Sequence, residues 1–273
     1  MACSHDVICH PVEKRDLVQE IMDYRPIIDY VLKAGKELKS VWGKAQDIGK
    51  TKQHLTEYDL QIERDIKSII TSFGQDHSLF AEEENHTFTN SKNVWVVDPI
   101  SGTVWFLNKA GSFAIVVSHV INGEVQFGLV YDPIKEDFFT ATRGKGLYVN
   151  GIKYTRTDTL SPSVLFNPSM AYKDAKKIQQ VWSDLFPFSP YKLAASFGLG
   201  YAYVAAGRFA GVITLAKDTF PEFAGSILIQ ESGGIFTNAQ GSSIIGLKDR
   251  IFVGAHDKET HEKLLTIANN QST

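Results

Sequence analysis

The segment NVWVVDPISGT, residues 93–103, constrains this chain more than any other stretch. Val94 to Val97 form an uninterrupted run of residues that favour extended backbone, and Asp98-Pro99 ends it. The pattern predicts an apolar strand that carries a carboxylate at its end. The turn that follows, Pro99 to Thr103, contains Gly102, which permits unusual dihedrals, and Thr103, whose hydroxyl can hold a water. A backbone of that kind can approach an ion or a phosphate closely.

The surrounding pattern predicts what this strand joins. SLFAEEE, from Ser78, reads as a short strand running into Glu82, Glu83 and Glu84. SFAIVVSHVI and EVQFGLVYD read as strands joined through Asn122-Gly123, a strong hairpin signal. EDFFTAT and GKGLYVNG continue the series to about residue 155.

Helical spacing precedes these strands, at Leu17, Val18, Ile21 and Met22 and again from Ile27 through Val31 to Leu38. A second helix is expected from Thr56, capped by its hydroxyl, with Asp59 three residues on and a stripe of Leu60, Ile62, Ile66, Ile69 and Ile70. Further on, helices are expected at 174–186, 199–206, 223–231 and 258–268. Strands are expected at 209–215, at Ile235-Phe236 and at IFVGA. Strands grouped with flanking helices in both halves predict a layered α/β protein. The expected division is an N-terminal α+β half, 1–155, and a C-terminal α/β half, 156–273, with a cleft between them.

Length and composition fit that reading. The chain has 273 residues, 43% hydrophobic and 22% charged, with a net charge of −3. No basic excess points to nucleic acid, and no apolar run approaches the roughly 20 residues that span a bilayer. Both cysteines lie near the start, so no disulfide framework is implied, and a reduced cytoplasmic protein is expected. Cys3, His5, Cys9 and His10 match no zinc spacing and read as a solvated terminal segment.

Acids at the ends of neighbouring strands, Glu82 and Asp98, repel one another unless a cation lies between them, and hard oxygen ligands suit magnesium. A run of three glutamates is otherwise simply a solvated loop. The phrase WVVDPISGT resembles the signature W-x-x-D-P-[ILV]-D-G-T of the inositol monophosphatase family, magnesium-dependent and lithium-sensitive phosphatases. The likeness extends over TEYDLQIE, AEEE, FGLVYDPIKEDFFTATRGKGLYVNG, GYAYVAAGRFAG and AGSILIQESGGIFTN. The resemblance implies an α-β-α-β-α sandwich and a homodimer. It implies that Glu82, Asp98 and the Ile100 carbonyl ligate a first magnesium. It also implies that Thr103, hydrogen-bonded to Asp59, orients the attacking water, and that amides near Gly102 and Thr103 hold phosphate oxygens.

Other parts of the pattern are replaced. The second aspartate of the signature falls on Ser101, and the later Trp-Asp pair falls on Phe220 and Pro221. A glutamate that contacts substrate hydroxyls falls on Thr214, and an asparagine falls on Trp105. Asp218 and Glu222 lie near the vacated position and would need a shifted backbone to replace it. Trp105 and Phe106 are expected beside the pocket mouth. Ser196 is expected at a helix start that faces the ligand, where simple capping is the commoner role, and Lys50 and Lys52 lie in a loop near the entrance.

The expected ligand-contacting set is therefore Ser101, Gly102, Thr103, Trp105, Ser196, Thr214 and Pro221, around one weak magnesium site. The expectation is a diverged relative with little ordinary phosphatase activity and an altered small-molecule ligand, phosphorylated or not. Two alternatives stay open: a one-magnesium phosphomonoesterase, and a non-catalytic binding or regulatory protein.

Overall fold

The computed structural model describes residues 24–49, 54–89, 91–157, 161–188, 190–191 and 196–270. The early helical face at Leu17 to Met22, the Cys3–His10 cluster, and Lys50 and Lys52 lie outside them. Helix α1 (Arg25–Val41) accommodates Pro26 in its first turn and buries Ile27, Val31, Ala34 and Leu38. Helix α2 (Glu57–Ser72) opens on a capping box. Asp59 Oδ2 accepts from the Thr56 amide at 2.7 Å, and Thr56 Oγ1 accepts from the Asp59 amide at 3.4 Å. Its buried stripe is Ile62, Ile66 and Ile70, with Leu60 and Ile69 at the margin.

Both helices cover one face of a seven-stranded sheet ordered β1 to β7 as in the chain. Its strands are β1 (His77–Ala81), β2 (Asn93–Ser101), β3 (Ala114–Ile121), β4 (Glu124–Asp132), β5 (Asp137–Thr142), β6 (Gly146–Val149) and β7 (Ile152–Lys153). Strand β1 runs parallel to β2, and the remaining pairs are antiparallel. Every residue of β2 is buried. Its register to β3 shifts between Asp98 and Ser101, where Pro99 has no N–H to give the ladder. Asn122 and Gly123 both take positive φ, 51° and 83°, as a two-residue hairpin turn of the primed kind requires.

The second sheet has the order β10-β11-β9-β8, built from β8 (Val164–Pro168), β9 (Gly211–Leu215), β10 (Ile235–Asn238) and β11 (Ile251–Ala255). Between the sheets lie α5 (Phe197–Ala205) and α6 (Phe220–Glu231), following α3 (Thr103–Asn108) and α4 (Ala175–Asp184) in chain order. Val94, Val96 and Val116 of the large sheet, Leu199, Tyr201 and Ile227 of these helices, and Val212 and Phe252 of the small sheet form one apolar cluster. On the far side of the small sheet, Val164, Phe166, Ile213 and Val253 pack with Val181 of α4 and Leu264 of α7 (Lys258–Asn269). The layers are thus α-β-α-β-α. The two sheets fall on either side of residue 155, yet they share a core through the central helices.

Candidate functional site

Each strand-end carboxylate is aimed by a local device. Glu63, fully buried on α2, accepts the amides of Glu83 and Glu84 at 3.0 and 2.9 Å and the Asn85 side chain at 2.6 Å. That clamp divides the three-glutamate run. Glu84 turns out to pair with Arg64, while Glu82 reaches a cleft of about 490 Å3. Asp98 enters the same cleft from the end of β2, only 4% exposed.

Beyond Asp98 the chain turns through Gly102, at φ 87° and ψ 42°, into the short helix α3. A Cβ there would lie 3.3 Å from the Ser196 backbone and 3.1 Å from Trp105 Cδ1, so the close approach as well as the dihedral selects glycine. Ser196 caps α5 by accepting from the Leu199 amide at 3.1 Å, and it also faces the cleft. Ser101, Gly102, Thr103, Trp105 and Pro221 complete the part of the expected set that this cleft brings together.

The rest lies elsewhere. Thr103 Oγ1 donates to the Ile100 carbonyl at 2.9 Å rather than to Asp59, whose Oδ2 is engaged by the Thr56 amide and hydroxyl. Asp59 is fully buried beneath the cleft wall, with Oδ1 lacking a hydrogen bond. Thr214 is enclosed within β9 between Asn167 and Phe252 and does not line the cleft. Phe106 belongs to the core, against Phe113 and Tyr58, and only Trp105 faces the opening. Glu222, fully buried on α6, turns inward and accepts from the Tyr201 hydroxyl at 2.9 Å. Its carboxylate therefore does not line the cleft.

The sequence reading did not single out Lys217, Asn167 or Met170, which also line the cleft. Lys217 Nζ lies 3.5 Å from Glu82 Oε1 and 3.8 Å from Asp218 Oδ2. Burial, with the Asp218 charge adding to it and Lys217 offsetting it, pushes the Glu82 carboxyl up to about 7. Burial and the Glu82 charge hold Asp98 well above the ordinary carboxylate range, although Ser101 acts in the other direction. Asp59 rises to about 6 and Glu222 to about 8, each chiefly through burial. These shifts describe negative charge that lacks full compensation.

Asp98 Oδ1, buried and without a hydrogen-bond partner, together with Glu82 and the second lone pair of the Ile100 carbonyl, gives hard oxygen donors suited to one divalent cation. Among the described residues, no three His, Cys, Asp or Glu side chains gather in a manner that would hold a metal, at Glu82 and Asp98 or elsewhere. Ser101 and Pro221 add no carboxylate, and Asp218 is already paired with an ammonium.

Known proteins resemble this chain over most of its length. Residues 23–273 match the inositol monophosphatase family. A fructose-1,6-bisphosphatase/inositol-1-monophosphatase of Thermotoga maritima is 29% identical over 219 residues, covering 78% of this chain and 84% of that protein. Nus factor SuhB of Escherichia coli is 31% identical over 195 residues, 69% of this chain and 73% of that protein. A Thermotoga maritima IMPase structure superposes with a TM-score of 0.78 at 26% identity, over 92% of this chain and 97% of that one.

Proposed function

Because this chain belongs to the inositol monophosphatase family, we propose that it is a diverged member that binds a small phosphorylated ligand. It would use at most one divalent cation and hydrolyse ordinary phosphate esters slowly. The observation that carries this reading is the makeup of the cleft around Asp98. Ser101 and Pro221 face it, Glu222 is turned into the core, and Asp218 is paired with Lys217.

Glu82, Asp98 and the Ile100 carbonyl would hold magnesium, which when bound supplies Lewis acidity toward a phosphate oxygen. The protein's own groups do the rest. Gly102 keeps the backbone close to the ligand. Thr103, held by Ile100, presents its hydroxyl oxygen at the cleft wall. Trp105, Val104, Met170, Pro168 and Phe197 give the opening an apolar side, which favours a ligand with an apolar or planar body over a bare polyol. Met170 is 95% exposed there, a large apolar side chain that no protein surface covers.

Loss of one electrostatic contribution to the leaving oxygen costs about 3 kcal/mol, at least a hundredfold in rate. The test is a phosphatase assay on polyol, aryl and nucleoside monophosphates with the wild type and with Ser101→Asp/Pro221→Asp. Slow wild-type turnover and a rise in the double variant are expected. Wild-type turnover as fast as that of an ordinary phosphatase, abolished by Glu82→Gln, overturns the reading in favour of a one-magnesium phosphomonoesterase.

A further inference from the structure

Lys217 stands in the short connection between β9 and α6 and lines the cleft together with the carboxylates of Glu82, Asp98 and Asp218. That connection is fixed at both ends. The Ala216 amide donates to the Arg250 carbonyl at 2.7 Å, and the Asp218 carboxylate accepts the Phe220 amide. The lysine is therefore delivered to one place. Its ammonium bridges Asp218, on its own loop, to Glu82, which follows β1 on the other wall.

Asp98 is left out of this pairing, with Oδ1 buried and unpartnered. The charges are informative. Among the described residues, three lining carboxylates, Glu82, Asp98 and Asp218, face the ammonium of Lys217. The carboxylates outnumber that ammonium, and the acidic excess is an electrostatic reason for a further cation to enter.

We propose that Lys217 is a tethered cation that holds Glu82 and Asp218 at single charge and so competes with a divalent ion for the carboxylates of the cleft. Its ammonium competes with divalent ions for Glu82 and Asp218, weakens the hold on an ion beside Asp98, and presents a fixed positive charge to the anionic group of a ligand. The idea rests on the proposal above that the cleft holds a divalent ion and an anion, but it concerns ion binding and does not depend on turnover.

The test is Mn2+ binding followed by electron paramagnetic resonance and calorimetry, without substrate, on the wild type, Lys217→Gln and Lys217→Arg. The expected result is one weakly held Mn2+ in the wild type, at least tenfold tighter binding or a second bound ion in Lys217→Gln, and wild-type behaviour in Lys217→Arg. Unchanged or weaker binding in Lys217→Gln overturns the proposal, as do two ions in the wild type. Lys217→Met, which keeps the aliphatic stem, is read in the same way if the glutamine variant does not fold. Fast phosphatase turnover by a wild type holding one Mn2+ would refute the function proposed above and leave the role of Lys217 standing. Unchanged Mn2+ affinity in Lys217→Gln would do the reverse.

Discussion

The buried imidazole of His119 should make this protein acid-sensitive by an amount that can be worked out in advance. His119 is 5% exposed, stacks on Trp95 with ring centroids 4.2 Å apart, and meets the Tyr24 hydroxyl at Nδ1, 3.0 Å away. Burial, with a small contribution from His77, pushes the ring down from 6.5 to about 3. The unfolded chain therefore takes up a proton at His119 well before the folded protein does. Its contribution to stability is complete above pH 6.5 and falls as pH drops toward 3. Between pH 7.5 and 5 the loss is about 2 kcal/mol. His119→Phe keeps a ring against Trp95 and removes the titration. Urea unfolding of both proteins at the two pH values, followed by tryptophan fluorescence, isolates the difference. The wild type should lose about 2 kcal/mol more than the variant over this interval. Equal losses in the two proteins would refute the reasoning, because they would mean that the folded imidazole titrates as freely as the unfolded one.

Three further outcomes follow from contacts described above. Tyr201→Phe leaves Glu222 Oε1 without its donor in the core and should destabilise by about 1–3 kcal/mol in chemical denaturation. Gly225→Ala would put a Cβ 2.4 Å from the Tyr201 ring at the α5–α6 contact, and a loss of about 1–3 kcal/mol with a lowered melting temperature is expected. Thr56→Ala removes the hydroxyl half of the α2 cap, leaving the backbone amide on Asp59, and should cost about 1 kcal/mol, measured in the same way.

Several parts of the molecule were legible from sequence because a local interaction determines them. Thr56 and Asp59 specify their helix start through their own side chains, and Asn122-Gly123 specifies a hairpin by dihedral preference. Strand β8 was not anticipated, since Val164 to Pro168 is five residues long and ends in proline. It is tolerated as an edge strand paired in parallel with β9 alone within its sheet. Helix α3 spans six residues, too few to show a period, and α6 begins at Phe220, three residues before the expected start, because proline fits a helix's first turn.

In the site, Glu82 and Asp98 were visible as acids at strand ends. Lys217 was not, because nothing local distinguishes it. Its partner Glu82 stands 135 positions earlier in the chain, and only the packing of two sheets brings them together. The bond expected between Thr103 and Asp59 is absent for a related reason. The nearer acceptor of the same turn, the Ile100 carbonyl, takes the hydroxyl.

The helices sandwiched between the two sheets carry a consequence for how the protein opens. Because α5 and α6 contribute to both, neither half can be peeled from the other without stripping apolar side chains such as Leu199, Ile227 and Phe252 into water. Fragments cut at residue 155 would each present a bare greasy face and aggregate sooner than fold. The side chains at the cleft rim, Met170 among them, stand outside that shared core.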